Sequence, residues 1–309
     1  MAGERVAVLL MAYGGPGNLS EVEPYLLDVR GGRPTRPELV AEIRARYARI
    51  GGRSPILELT RAQAAAVAAA LGDAFTVHVG MRHWHPYIRE AVGEIARAGH
   101  RYVVGVAMAP HYSTMSVGAY EKSLLEAAAS TGAGRLDAVV VPRWGQHPAF
   151  ITAVAERTTQ ALERFPARSD VHVLFTAHSL PERILAAGDP YPAELRASAS
   201  AVAQRAGLAR WQFAFQSAGA TPEPWLGPDA KQVITELAGR GKKAFLVVPI
   251  GFVCDHVEIL YDIDVEYHAL AQRLGVRLER TPSLNDDPGL VAAVADVVRG
   301  AARERGWLP

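Results

Sequence analysis

Apolar, β-branched runs alternate with alanine-rich amphipathic segments along this 309-residue chain. The apolar runs have the length of strands, whereas the alanine-rich segments carry apolar residues every three or four positions, as helices do. We predict strands at residues 5 to 12, 75 to 80, 101 to 109, 137 to 142, 171 to 177, 211 to 217 and 243 to 250. We predict helices at 60 to 71, 86 to 98, 149 to 164 and 193 to 206. This alternation is typical of α/β proteins whose parallel sheets are covered by helices on both faces.

The two halves of the chain are similar to each other. Residues 8 to 16 overlay residues 173 to 181, which puts Tyr13 opposite His178, and further along His85-Pro86 overlays Glu223-Pro224. Chance similarity between α/β strands is the alternative to duplication. We predict two doubly wound, Rossmann-like halves, each with a parallel four-stranded sheet, and a cleft between them.

The predicted halves comprise residues 1 to 147 and 148 to 285, and we expect a last helix within 286 to 309 to pack on the first half. Residues 17 to 53 are additional to the repeat. Glycines and prolines there interrupt two short amphipathic helices, so we predict a lid over the cleft.

Two polar segments directly follow predicted strands, one containing His178 and the other Glu258. Ligands of open parallel sheets bind outside the carboxyl ends of the strands, so these side chains are expected to face one cleft. A neutral imidazole and a carboxylate can share a proton or a divalent cation. The alternative for His178 is a hydrogen-bonded core histidine.

Four carboxylates, Asp255, Glu258, Asp262 and Glu266, are spaced three or four residues apart, which predicts one stripe along a helix. Like charges at this spacing repel each other unless cations or protons compensate. The stripe is therefore a candidate relay for protons or metal ions, and a solvated acidic face is the alternative. We expect His256 to point elsewhere and to be structural.

Composition narrows the function classes. Lys+Arg 33 against Asp+Glu 32 leaves a net charge of +1, which does not favour nucleic acid as a partner. The single cysteine, Cys254, excludes a disulfide framework or a cluster held by several thiolates of this chain. Without a run of roughly 18 apolar residues or a cleavable leader, we expect a cytoplasmic, monomeric protein with no transmembrane segment.

The predicted lid is rich in arginine, the side chain that binds carboxylates through two parallel hydrogen bonds. The cluster indicates an anionic substrate, whereas a solvated face paired with Glu38 and Glu42 is the alternative for any single arginine. The arginines are at positions 30, 33, 36, 44, 46, 49 and 53.

At these residues the chain resembles the ferrochelatase family over nearly its whole length. The resemblance depends on LLMAYGGP at 9 to 16, RY at 46 to 47, GGRSP at 51 to 55, APHYS at 109 to 113, TAHSLP at 176 to 181, FQSAG at 215 to 219, EPWLGP at 223 to 228 and FVCDHVEILYD at 252 to 262. It implies a chelatase-type fold and insertion of ferrous iron into a porphyrin, with release of two protons. Iron is then a substrate, and we expect neither a permanently bound cofactor nor an iron-sulfur cluster.

The resemblance also implies roles for individual residues. The iron-handling, catalytic pair falls on His178 and Glu258, and Asp262 and Glu266 continue as a relay. Which member of the pair is base and which is metal ligand stays open. The implied porphyrin contacts are Tyr13, Arg30, Arg46, Tyr47, Ser54 and Tyr120, with Arg82, His83 and Trp144 as further cleft-lining positions.

Tyr13 and the short N-terminus look like the bacterial branch that acts on coproporphyrin III, whose four propionates suit an arginine-rich lid. Protoporphyrin IX is the alternative substrate. A sirohydrochlorin chelatase typically has a second histidine where this chain has Glu258, and a non-catalytic porphyrin or haem carrier is the alternative outside enzymes. Gly15 departs from the family, whose members often have threonine there.

Overall fold

The computed structural model describes residues 5–132, 136–219 and 221–308. It contains two parallel four-stranded sheets, ordered β2-β1-β3-β4 and β6-β5-β7-β8. The strands are β1 Val6–Ala12, β2 Phe75–Met81, β3 Tyr102–Ala107, β4 Asp137–Val141, β5 Val171–His178, β6 Trp211–Gln216, β7 Ala244–Val248 and β8 Arg277–Arg280. The predicted fold of two α/β halves with parallel four-stranded sheets is confirmed.

Helices connect the strands and cover the sheets. They are α1 Val22–Val29, α2 Pro37–Arg49, α3 Ile56–Leu71, α4 Ile88–Arg97, α5 Val117–Ala129, α6 Pro148–Leu162, α7 Arg183–Ala186, α8 Tyr191–Arg205, α9 Ala230–Gly239, α10 Val257–Leu260, α11 His268–Leu274 and α12 Pro288–Glu304. A π-helix, Asp262–Tyr267, joins α10 to α11. Short 3-10 turns occupy Leu19–Glu21 and Arg168–Asp170. Among the described residues, no helix is long and apolar enough to cross a bilayer.

The central strands are buried on both faces, which explains their continuous apolar sequence. All seven residues of β1 are buried, and in β5 only His178 at the end is partly exposed. The sequence predicted seven of the eight strands. The edge strand β8 was missed because its four residues, RLER, are mostly charged and too few to show a period.

The two sheets have equivalent orders, so β1 and β5 occupy the same position in their halves. Tyr13 follows β1 directly and His178 ends β5, as the overlay predicted. The overlay was wrong for Pro86. The backbone N–H of Met81 donates to the Pro86 carbonyl at 2.7 Å, and that of Phe215 donates to the Pro228 carbonyl at 2.8 Å. Pro86 is therefore equivalent to Pro228 and not to Pro224.

One continuous apolar core includes residues of both sheets, among them Leu10 of β1 and Phe175 of β5. Helix α12 packs against α3 and α6, so it contacts elements of both predicted halves. The helices α1 and α2 of the predicted lid follow β1, and the backbone N–H of Ser54 donates to the Pro16 carbonyl at 2.9 Å. This bond closes the lid segment where α3 begins.

Candidate active site

His178 and Glu258 meet at the carboxyl ends of the second sheet. Nε2 of His178 lies 3.2 Å from Oε1 of Glu258, and the two side chains are 32% and 30% exposed. Their backbones are fixed as well as their side chains. The Tyr191 hydroxyl donates to the His178 carbonyl at 3.0 Å, and Nε2 of the buried Gln216 donates to the Glu258 carbonyl at 2.9 Å. The sequence predicted the pair but not Gln216 or Tyr191 as its supports.

His256 is the second partner of Glu258. Its Nε2 lies 2.7 Å from Oε2 of Glu258, and its Nδ1 lies 2.9 Å from the Cys254 carbonyl. The expectation that His256 points elsewhere is therefore wrong. His256 can reach Glu258, two positions further on, because it precedes α10 and its backbone is extended rather than helical.

Each of these histidines has an oxygen acceptor at both ring nitrogens. For His256 they are the Cys254 carbonyl and Glu258, and for His178 they are the Ser179 carbonyl and Glu258. Only an imidazolium donates from both nitrogens. Burial lowers the pKa of each histidine, but the charge and hydrogen bond of Glu258, a backbone carbonyl and the charge of Asp262 together raise it by more, so both pKa values lie above the usual 6.5.

Glu258 shows the reciprocal effect. Burial raises the pKa of this carboxyl group, but the charges and hydrogen bonds of His178 and His256 lower it well below its ordinary 4.5. Glu258 therefore favours the protonated form of both histidines, and each histidine favours the ionised form of Glu258. A protonated histidine here disfavours the approach of a further cation, because like charges repel each other at these distances.

Tyr13 lies on the side of the first sheet, and its ring packs 4.6 Å from the ring of His83. Nδ1 of His83 lies 2.9 Å from Asp28 of α1, which connects this corner to the lid. Burial and the charge of Glu258 raise the pKa of Tyr13 to about 12, against the opposing charge of Arg82. Tyr13, although 40% exposed, therefore stays a neutral phenol within the field of Glu258.

Two further predicted residues, Tyr47 of α2 and Tyr120 of α5, are buried. Burial chiefly raises the pKa of each phenol, and the charge of Glu258 raises it further. The guanidinium of Arg82 lies 5.9 Å from the Tyr120 ring centroid. Residues of the lid, of the first half and of the second half thus surround Glu258.

The acidic row is only partly helical. Asp255 precedes α10 and pairs with Arg280 at 3.3 Å, so its predicted place on one helical stripe with the other carboxylates is wrong. Asp262 begins the π-helix and accepts a hydrogen bond from the Ser217 hydroxyl. Glu266 pairs with Lys231 at 2.9 Å. Glu258, Asp262 and Glu266 therefore form the row that leads from His178 to a surface lysine.

Asp262 has a raised pKa, in contrast to the lowered pKa of Glu258. Burial raises its pKa, the Ser217 hydrogen bond and Arg46 lower it, and the charges of Glu258 and Glu266 raise it, with a result of about 6. Arg46 of the lid lies 3.9 Å from Asp262 and 2.7 Å from Glu42, and its guanidinium lies 5.2 Å from the Tyr261 ring centroid. The lid thus contacts the π-helix through Arg46.

The other lid arginines are exposed. Arg30 ends α1, where its Nε donates to the Arg33 carbonyl at 3.4 Å, and Arg53 pairs with Glu58 at 3.1 Å. Ser54 is half-buried beside Gly15, where an added Cβ would lie 2.6 Å from the Ser54 Cβ and Oγ. Gly15, which stands where family members often have threonine, therefore packs too closely against Ser54 to leave room for a side chain.

Two residues singled out by the sequence lie in the core. Trp144 is 3% exposed, packs edge-on against Phe150, and donates from Nε1 to the Ala107 carbonyl at 3.1 Å. Burial raises the pKa of the Cys254 thiol to about 12, so it is a packed thiol rather than a nucleophile.

The fold of two α/β halves with parallel four-stranded sheets is that of chelatases. In structure, the chain is similar to the sirohydrochlorin chelatase SirB from Bacillus subtilis subspecies spizizenii, with a TM-score of 0.58, 13% identity, and coverage of 97% of this chain and 96% of that one. At this identity the similarity concerns the fold alone.

Sequence comparison identifies the family. The ferrochelatase family model matches residues 5–302. A ferrochelatase of Herpetosiphon aurantiacus is 46% identical over 96% of this chain and 99% of its own. A coproporphyrin III ferrochelatase of Anoxybacillus flavithermus is 38% identical over 99% of both chains. The chain belongs to the ferrochelatase family, the metal chelatases that insert iron into porphyrin in haem synthesis.

Proposed function

We propose that this ferrochelatase inserts ferrous iron into coproporphyrin III, with His178 and Glu258 as the groups that exchange protons and iron with the macrocycle. The 3.2 Å contact between these side chains carries the assignment, because it brings a base and a carboxylate together within reach of one substrate. We further propose that the enzyme acts as a monomer, without a permanently bound cofactor.

Metallation requires that Fe2+ enters the ring and that two pyrrole protons leave it. His178 first loses a proton, which exposes a ring nitrogen that can accept a pyrrole proton or bind iron. Glu258 stays ionised, and its charge stabilises either the protonated His178 or the Fe2+ ion. Tyr13, a neutral phenol that follows β1 of the first sheet, would supply an oxygen ligand to iron in the metallated product.

The protons leave along the carboxylates of the π-helix. Asp262 suits this step because its pKa of about 6 lets it accept and release a proton near neutral pH. Glu266, paired with Lys231, is the end of the row nearest the surface. Each turnover then passes two protons, one after the other, from the ring through His178 to Asp262 and on past Glu266 to solvent, while Glu258 stays ionised.

The lid supports the choice of coproporphyrin III, which has four propionates against two in protoporphyrin IX. Arg30, Arg33 and Arg36 are exposed around the turn between α1 and α2. Exposed guanidinium groups can be recruited to a propionate at little desolvation cost. Tyr47 and Ser54 belong to the same part of the chain as the lid, and Tyr120 belongs to α5 of the first half. All three are proposed porphyrin contacts.

The test is anaerobic absorbance spectroscopy of the purified protein with Fe2+ and, in separate reactions, coproporphyrin III and protoporphyrin IX. We expect multiple turnovers of coproporphyrin III and slow reaction of protoporphyrin IX. The opposite preference would refute the substrate assignment. Tight porphyrin binding without metallation would refute the catalytic role and favour a carrier. The variant Arg277→Gln serves as a control, because this exposed arginine pairs with Glu279 and lies outside the lid and the candidate site.

A further inference from the structure

Arg280, at the end of β8, contacts the reverse side of the segment that carries Glu258. Its Nε lies 2.7 Å from Oδ1 of Asp264, and its Nη2 lies 2.8 Å from Oδ2 of the same carboxylate. Nη2 also lies 3.3 Å from Oδ1 of Asp255. The Arg280 side chain is only 15% exposed. One guanidinium therefore joins two carboxylates that flank the catalytic glutamate in sequence.

Asp255 is fixed by more than Arg280. Its backbone N–H donates to Oδ1 of Asn285 at 3.0 Å, and its Oδ1 accepts from the Ser283 hydroxyl at 2.7 Å. Asn285 adopts φ of 51°, a left-handed conformation that asparagine tolerates better than most residues. The turn that leads into His256 is consequently anchored immediately before the histidine.

Asp264 is the anchor within the π-helix. It lies two residues from Asp262, about half a helical turn away, so the two carboxylates face opposite sides. Asp262 meets Ser217 and Arg46 on one side, whereas Asp264 meets Arg280 on the other. π-Helices are uncommon and tend to occur at functional sites.

We propose that Arg280 is a positioning residue for metallation, which fixes Asp255 and Asp264 so that Glu258 keeps its contacts with both His178 and His256. The inference builds on the proposed roles of His178 and Glu258. A bidentate guanidinium–carboxylate pair fixes orientation as well as distance, which a lysine ammonium cannot reproduce. Without Arg280, two carboxylates would face each other across a partly buried space and separate.

The space beside Arg280 makes the proposal testable by chemical rescue. Arg280, Asp255 and Asp264 line a cavity of about 430 Å³ at the protein surface. A free guanidinium ion can therefore reach the position that a truncated side chain leaves empty. Arg277 on the same strand supplies the matched control, because it forms an exposed 2.9 Å pair with Glu279.

The experiment compares wild type with Arg280→Ala, Arg280→Lys and Arg277→Gln, using the full chain, Fe2+ and each porphyrin. We expect Arg280→Ala to lower kcat by roughly 10- to 100-fold, as is typical when support of a metal-handling residue is lost. Porphyrin affinity, measured by fluorescence quenching, should be unchanged. Millimolar guanidinium should restore part of kcat in Arg280→Ala alone. Arg280→Lys should show an intermediate loss, and Arg277→Gln should match wild type.

The outcomes separate this inference from the proposed function. If wild type metallates neither porphyrin, the proposed function fails. If wild type turns over and Arg280→Ala or Arg280→Lys matches its kcat, only the role of Arg280 is refuted. Positioning would also be refuted by a purely structural effect. In that case the loss of kcat in Arg280→Ala would parallel a loss of folded protein measured by circular dichroism, guanidinium would not rescue it, and Arg280→Lys would be fully active.

Discussion

His256 lies 2.7 Å from the carboxylate of Glu258, two residues further along the chain, and thereby gives this glutamate a second imidazole partner. His178 supplies the first from another strand. The pair that the sequence predicted is therefore a triplet of one carboxylate and two imidazoles.

The first prediction concerns His256. Replacing it by asparagine removes one of the two cations that lower the Glu258 pKa, and it frees one carboxylate oxygen. We expect His256→Asn to lower kcat by roughly 10- to 100-fold while the dissociation constant for coproporphyrin changes little. Steady-state metallation and fluorescence titration measure both quantities. Unchanged kcat would show that Glu258 works without this partner.

The second prediction is the pH profile of metallation. His178 must lose its proton before it accepts another or binds iron, and its pKa lies above 6.5 because the charge and hydrogen bonds of Glu258 outweigh the effect of burial. The kcat should therefore rise with pH through an inflection above 6.5. Glu258→Gln removes the charge, so the inflection should move to lower pH in the residual activity. A profile that falls over the same range would contradict this order of events.

The third prediction concerns stability at Asp262. The pKa of this carboxyl group is raised from 3.8 to about 6, so folding favours its protonated form. The resulting stabilisation is full below pH 3.8 and is lost as pH rises through about 6. Above that pH, the free energy of unfolding of Asp262→Asn should therefore exceed that of wild type by about 1 to 3 kcal/mol. Urea denaturation at both ends of this range measures the difference.

Arg277→Gln is the control for that experiment, because the exposed Arg277–Glu279 pair lies outside the row. Its difference from wild type should stay nearly constant with pH. If Asp262→Asn differs from wild type by the same amount at acidic and alkaline pH, the pKa of Asp262 is not raised by folding, and the prediction is contradicted.

The fourth prediction concerns the packing of the lid. Gly15→Ala places a Cβ 2.6 Å from Ser54, which we expect to cost roughly 1 to 3 kcal/mol in the free energy of unfolding. Adding Ser54→Gly removes the clash, so the double variant should recover most of the loss. Gly93→Ala in α4 is the control, because nothing lies within 4 Å and alanine favours the helix. Purely additive effects of Gly15→Ala and Ser54→Gly would contradict the contact.

The parts of this protein that the sequence predicted are those encoded by local pattern. Buried strands such as β1 and β5 have continuous apolar sequences, so their ends at Tyr13 and His178 could be located. The charged edge strand β8 has no such pattern, because one face and one edge of it meet solvent.

The candidate site was predicted where a side chain follows a strand, and missed where a turn decides its direction. Helical spacing predicted that Asp255 lies beside Glu258 and that His256 points away from Glu258. Because the chain is extended at His256, it is His256 that contacts Glu258, whereas Asp255 pairs with Arg280. Tyr191 and Gln216 bond to the backbones of His178 and Glu258, and Arg280 pairs with Asp255. All three lie at distant positions in the sequence, so no local spacing relates them to the site.

The most direct test of the account is metallation of coproporphyrin III by His178→Ala. Removing the imidazole takes away the base and iron contact but leaves Tyr13, Tyr47 and the lid arginines in place. In anaerobic absorbance assays with Fe2+, we expect loss of iron insertion, with porphyrin still bound at wild-type affinity. Metallation at the wild-type rate would show that the histidine–glutamate pair is not the reaction centre.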